Sequence, residues 1–101
     1  MVSFAEHKVK GGKLVGAFVD CDGTRLKSVR IVGDFFIYPE SALSEIEKKL
    51  IGAERDSDVK MLSEMIGAAV LECKAELIGV TPDAIAATIN KAVKARECSG
   101  E

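Results

Sequence analysis

Leu14-Val15-Gly16-Ala17-Phe18-Val19-Asp20-Cys21-Asp22-Gly23-Thr24-Arg25-Leu26-Lys27-Ser28-Val29-Arg30-Ile31-Val32 is the stretch that decides the fold. Two runs that read as strands flank Asp22-Gly23. Aspartate followed by glycine between such runs is a strong hairpin signal, because the glycine accepts the positive φ that a tight turn requires. Val29 and Ile31 alternate with Ser28 and Arg30, so the second strand is expected to bury one face and wet the other. Cys21 falls at the expected hairpin tip, beside two carboxylates that disfavour a thiolate nucleophile. Upstream, residues 4–9 read as a further extended segment. It reaches the hairpin through Lys10-Gly11-Gly12-Lys13, where paired glycines permit a tight or irregular connection.

Downstream the period changes. Pro39 suits the first turn of a helix and Glu40 the positive end of its dipole, and Leu43, Ile46 and Leu50 form one apolar stripe that Gly52 ends. After a polar connection over Ala53 to Ser57, the residues Val59, Leu62, Met65, Ile66, Ala69, Val70, Cys73 and Leu77 keep helical spacing. They predict a central helix of about five turns, the longest element, with Gly79 as its C-cap. Thr81-Pro82-Asp83 supplies an N-cap, a first-turn proline and a dipole-matched acid for a last helix striped by Ile85, Ile89 and Val93 and fraying after Arg96. Strands followed by helices define an α+β fold, here a small antiparallel sheet of two to three strands, including the hairpin, with three helices packed on one face. With 101 residues, the chain reads as a single domain over 1–101 with no room for a separate catalytic domain.

A composition of 48% hydrophobic and 30% charged residues is that of a folded domain. A formal charge of −2 with interspersed signs provides no field for nucleic acid or anionic lipid. No apolar run approaches the roughly 20 residues of a membrane span, and no signal peptide is discernible, so a cytoplasmic location is expected. Cys21, Cys73 and Cys98 are scattered without a Cys-x-x-Cys pair, which suits free thiols in a reducing compartment. His7 has no partner at metal spacing.

Two segments stand out chemically. Lys10-Gly11-Gly12-Lys13 resembles a phosphate cradle in composition, but it lacks the spacing and hydroxyl of a P-loop and precedes a strand, so a plain β connection is the simpler reading. Gly33-Asp34-Phe35-Phe36-Ile37-Tyr38-Pro39 packs three aromatic residues around one carboxylate. Its aromatics either plug the core at the sheet-to-helix crossing or, because consecutive side chains diverge, present a partner contact.

Glu6-His7-Lys8-Val9-Lys10-Gly11-Gly12-Lys13-Leu14-Val15, then Val29 through Glu40 with its Gly33-Asp34-Phe35-Phe36 core and Pro39-Glu40, then Ile46-Glu47 and Leu50-Ile51-Gly52, resemble the C-terminal accessory domain of lipoate-protein ligases. The resemblance covers nearly the whole chain, in pattern only over the helical half. In that family the domain usually follows a catalytic domain in one polypeptide; the present chain is similar to the separate small subunit of a split ligase.

The resemblance implies a partner, the catalytic subunit, which would hold ATP, Mg2+ and lipoate, while this chain alone would bind no cofactor or metal. Lipoate and MgATP would give lipoyl-adenylate and pyrophosphate, and the acyl group would pass to a lysine on a lipoyl domain of a 2-oxoacid dehydrogenase or on the glycine-cleavage H protein. The chain would meet those acceptors only indirectly and act as a lid without catalytic residues of its own. The residues implied at the interface or lid are Lys8, Lys10, Gly11, Gly12, Lys13, Gly33, Asp34, Phe35 and Phe36. Phe35 or Phe36 would anchor the partner, and one of Lys8, Lys10 and Lys13 would face the nucleotide phosphates. The competing reading is a cytoplasmic sulfur-transfer or iron-sulfur scaffold module of similar α+β architecture, against which the scattering of the thiols speaks.

Overall fold

The computed structural model describes residues 2–9 and 13–99, with side chains as far as Lys94. β1 (Val2–Lys8), β2 (Leu14–Asp22) and β3 (Arg25–Gly33) form an antiparallel sheet with β2 in the centre. The hairpin turns at Gly23-Thr24, with Gly23 at φ 65°. Cys21 is therefore not at the tip: it pairs with Leu26 and is 8% exposed. The cause is a bulge. Asp20 opposes Ser28 and Cys21 opposes Leu26, which leaves Lys27 as an extra residue on β3. One extra residue shifts the alternation by one place, so Leu26 joins Val29 and Ile31 on the buried face.

Three helices follow: α1 (Ser41–Leu50), α2 (Val59–Glu72) and α3 (Pro82–Ser99). The last packs on β1 and β2, the first against β3, and α2 lies against the other two helices. Ile46, Leu50, Ile66, Ile85 and Ile89 meet Val15 and Val19 in the core, each fully buried or nearly so. The strand alternation and the helical stripes thus converge on one apolar layer, whose burial supplies the main driving force of folding. The Thr81 hydroxyl accepts from the Ala84 N–H at 3.2 Å, as expected of an N-cap before Pro82. Asp58 caps α2 in the same way, its carboxylate accepting from the Met61 N–H at 2.8 Å.

Three boundaries depart from the sequence reading. Pro39 lies outside α1, joined to Tyr38 by a cis peptide bond, and the helix begins at Ser41 after the Ala42 N–H has bonded back to the Pro39 carbonyl at 3.0 Å. The helix α2 stops at Glu72 rather than running to Leu77. Lys74 adopts φ 52°, the Lys74 N–H bonds to the Leu71 carbonyl at 3.1 Å and the Ala75 N–H to the Val70 carbonyl at 2.9 Å. This is a Schellman ending with lysine where glycine is usual. The chain so released forms β5 (Glu76–Ile78), which pairs antiparallel with β4 (Phe36–Tyr38) in a second, two-stranded sheet. Gly79, at φ 87°, therefore follows a strand instead of capping α2, and α3 with 18 residues is the longest helix.

Candidate partner-docking site

The two informative sequence blocks meet at one end of the sheet. Lys8 pairs with Leu14, Val15 pairs with Gly33, and the Asp34 N–H donates to the Leu14 carbonyl at 2.9 Å. Gly33 is required there: a Cβ on it would lie 2.2 Å from the Leu14 carbonyl oxygen. Lys8 and Lys13 are exposed, and the aliphatic stem of Lys13 runs past Gly79, 3.4 Å from where a Cβ would stand. Lys10, Gly11 and Gly12 lie outside the described residues.

The adjacent aromatics separate into two kinds. Phe35 is half-buried and packs against the core, whereas Phe36 is 71% exposed. The strand alternation of β4 explains the split, sending Ile37 inward while Phe36 and Tyr38 face out. Phe36 stands directly across from Ile78 and Tyr38 across from Glu76, so the small sheet carries an exposed apolar ledge. Beside the ledge lies a groove of about 510 Å³ between the end of β3, β4 and the start of α1. Ile31, Phe35, Ile37 and Leu43 line it, with Phe36 and Glu40 exposed along its length.

A second apolar feature lies on the face of the large sheet turned away from the helices. Phe4 and Phe18 sit across from each other with ring centroids 4.5 Å apart and planes tilted by 41°. The Phe4 ring covers Gly16, where a Cβ would come within 3.0 Å of it. Both rings remain more than a third exposed.

Among the described residues no group of three or more His, Cys, Asp or Glu is placed to hold a metal ion. Among them, too, no helix is long and apolar enough to cross a membrane. Cys21 is in the core and Cys73 half-buried at the end of α2, so these two thiols do not cluster at an accessible site.

No family model matches the chain. Over 59 residues it is 36% identical to lipoate-protein ligase A subunit 2 of Thermoplasma acidophilum, a match that takes in 58% of this chain and spans only 57% of that relative's length. A solved structure described as an archaeal lipoylation system, a bi-partite lipoate protein ligase and its E2 lipoyl domain from the same organism, contains a chain of the same fold. That likeness has a TM-score of 0.72 at 26% identity and covers 88% of this chain and 94% of that one. The chain is thus similar in sequence to a lipoate-protein ligase A subunit 2 and in fold to a chain of a bi-partite ligase structure.

The sequence singles out the Gly33 to Phe36 block but not the residues that surround it. Helical spacing alone does not bring Glu40 and Leu43 to the groove or set Ile78 across from Phe36; those positions depend on where α1 begins and α2 stops. The pairing of Phe4 with Phe18 follows from the strand register and carries no signal in the continuous apolar run around Phe18.

Proposed function

We propose that this chain is the accessory subunit of a two-subunit lipoate-protein ligase, required by a separate catalytic subunit for the ATP-dependent activation of lipoate. The observation that carries the reading is the likeness of fold, over nearly nine-tenths of the chain, to a chain of a bi-partite lipoate ligase structure. ATP, Mg2+ and lipoate belong to the catalytic subunit, and this chain acts in the same compartment, the cytoplasm, without supplying a nucleophile or a general base. The acyl group then passes to a lysine of a lipoyl domain on a 2-oxoacid dehydrogenase or the glycine-cleavage H protein.

The chain's contribution follows from the chemistry. An acyl-adenylate is a mixed anhydride open to hydrolysis, and its formation releases pyrophosphate. A docked lid that excludes water and places cationic side chains near the departing phosphates assists both steps. Phe36, exposed beside the groove, is the anchor of the docking, while Phe35 contributes to the core beneath it. One of Lys8, Lys10 and Lys13 faces the nucleotide when the complex closes. The test is to mix the chain with its cognate catalytic subunit and follow pyrophosphate release dependent on ATP and lipoate. Release is expected from the mixture and from neither part alone; a cognate pair that shows no stimulation overturns the proposal. A Lys8→Ala, Lys10→Ala and Lys13→Ala triple variant that adenylates at the normal rate removes the phosphate role.

A further inference from the structure

We propose that the groove between β4 and α1 receives a segment of the catalytic subunit in which an apolar side chain is flanked by a lysine or arginine, a proposal that rests on the accessory-subunit reading above. The floor of the groove is apolar, formed by the buried Ile31 and Ile37 with Phe35 and Leu43. With a volume of about 510 Å³ and an open mouth, it is a surface groove with room for a side chain and its neighbours. The charges decide what enters. Glu40 lines the groove, Asp34 stands exposed beside it between Gly33 and Phe35, and among the described residues no lysine or arginine lines it. Within the groove this charge favours a cation over a carboxylate or a phosphate, so lipoate, nucleotide and pyrophosphate are the poorer occupants. A peptide with an apolar group for the floor and a cation for Glu40 and Asp34 meets both demands.

The flank of the groove favours a macromolecule for a separate reason. The outward-facing Phe36, Tyr38 and Ile78 extend the apolar surface sideways onto the small sheet. An aromatic ledge beside an apolar pocket with a charged rim is the usual anatomy of the few residues that dominate an interface. The positions of Glu40 and Phe36 also make the surface separable from folding. Both side chains are exposed, and Glu40 makes no capping bond at the start of α1.

Calorimetric titration of the full chain with the catalytic subunit, and separately with an isolated lipoyl domain, tests the proposal. The forms compared are the native chain, Phe36→Ser, Glu40→Lys and, as a control on α2, Met61→Ser, each checked for its thermal transition. Phe36→Ser and Glu40→Lys are each expected to weaken binding to the catalytic subunit at least about tenfold. The native affinity is expected to fall with salt and the Glu40→Lys affinity to fall less; Met61→Ser binds as the native chain does. If the native chain binds the catalytic subunit and both groove variants bind equally well, the groove assignment is overturned and the accessory role stands. Binding to the lipoyl domain that the same variants abolish overturns the choice of occupant. A native chain that neither binds nor stimulates its cognate catalytic subunit overturns the underlying reading instead.

Discussion

At Gly33 the backbone runs so close to β2 that a methyl group would overlap the Leu14 carbonyl oxygen, at 2.2 Å, and also touch the Phe35 ring at 3.1 Å. Either the hydrogen bond from Asp34 to that carbonyl or the seat of Phe35 has to give. Gly33→Ala is therefore expected to lower the unfolding free energy by about 2 to 4 kcal/mol in urea titration. Gly67, inside α2 with open space around it, is the contrast: Gly67→Ala is expected to raise stability by about 0.5 to 1 kcal/mol. The two neighbouring phenylalanines divide along another line. Phe35→Ala removes a half-buried ring from the core and should cost roughly 2 kcal/mol of stability. Phe36→Ala should leave the urea midpoint nearly unchanged while weakening the proposed complex with a catalytic subunit. The sequence placed both rings in one informative block but left open which was plug and which was contact. The start of β4 at Phe36, and not the residue type, sets their roles.

Among the elements, β3 is the sheet edge that the helical half has to cover. It does so with polar contacts: the Leu26 N–H bonds to the Ala53 carbonyl at 2.8 Å, and the Ile31 N–H donates to a Glu47 carboxylate oxygen at 2.8 Å. A helix side chain thus completes a strand. Removing it leaves a partly buried donor without an acceptor, so Glu47→Ala is expected to cost about 1 to 3 kcal/mol and Glu47→Gln, which keeps an acceptor, distinctly less. Denaturation of the two variants side by side checks this. The elements also show where sequence patterns inform and where they mislead. Alternation in β2 and β3 was legible, except for the bulge at Lys27, which no residue type announces. Cys73 and Leu77 continue the helical spacing of α2 because the turn after Glu72 happens to preserve it. A glycine at position 74 would have disclosed the ending, whereas a lysine held at φ 52° by two backbone hydrogen bonds does not. Three-residue strands such as β4 and β5 exist only as a pair, so neither is visible in its own sequence.

For the whole molecule, the fold class was legible because the three strands of the larger sheet precede all the helices along the chain. The layering was less so, since α2 contacts the other helices more than the sheet. The burial pattern predicts the chemistry of the thiols. In the native protein iodoacetamide should modify the half-buried Cys73 faster than Cys21, which reacts only as fast as the core opens; mass spectrometry of labelled peptides resolves the two.

The contact between α3 and β1 also governs the moment at which the chain can fold. Lys91 donates to the Glu6 carbonyl at 2.8 Å, and Ile85 and Ile89 complete the apolar layer against the sheet, so the first strand is closed by a helix encoded some eighty residues later. A ribosome that has delivered β1, β2 and β3 holds a sheet with its core face bare. Folding must wait until α3 has cleared the exit tunnel, and contacts of such sequence separation form slowly. Nascent chains arrested before Pro82 are expected to remain protease-sensitive, and those released beyond Lys94 to become resistant in a single step. The interval from the delivery of β3 to the release of α3 is the time in which that bare face needs cover from a chaperone.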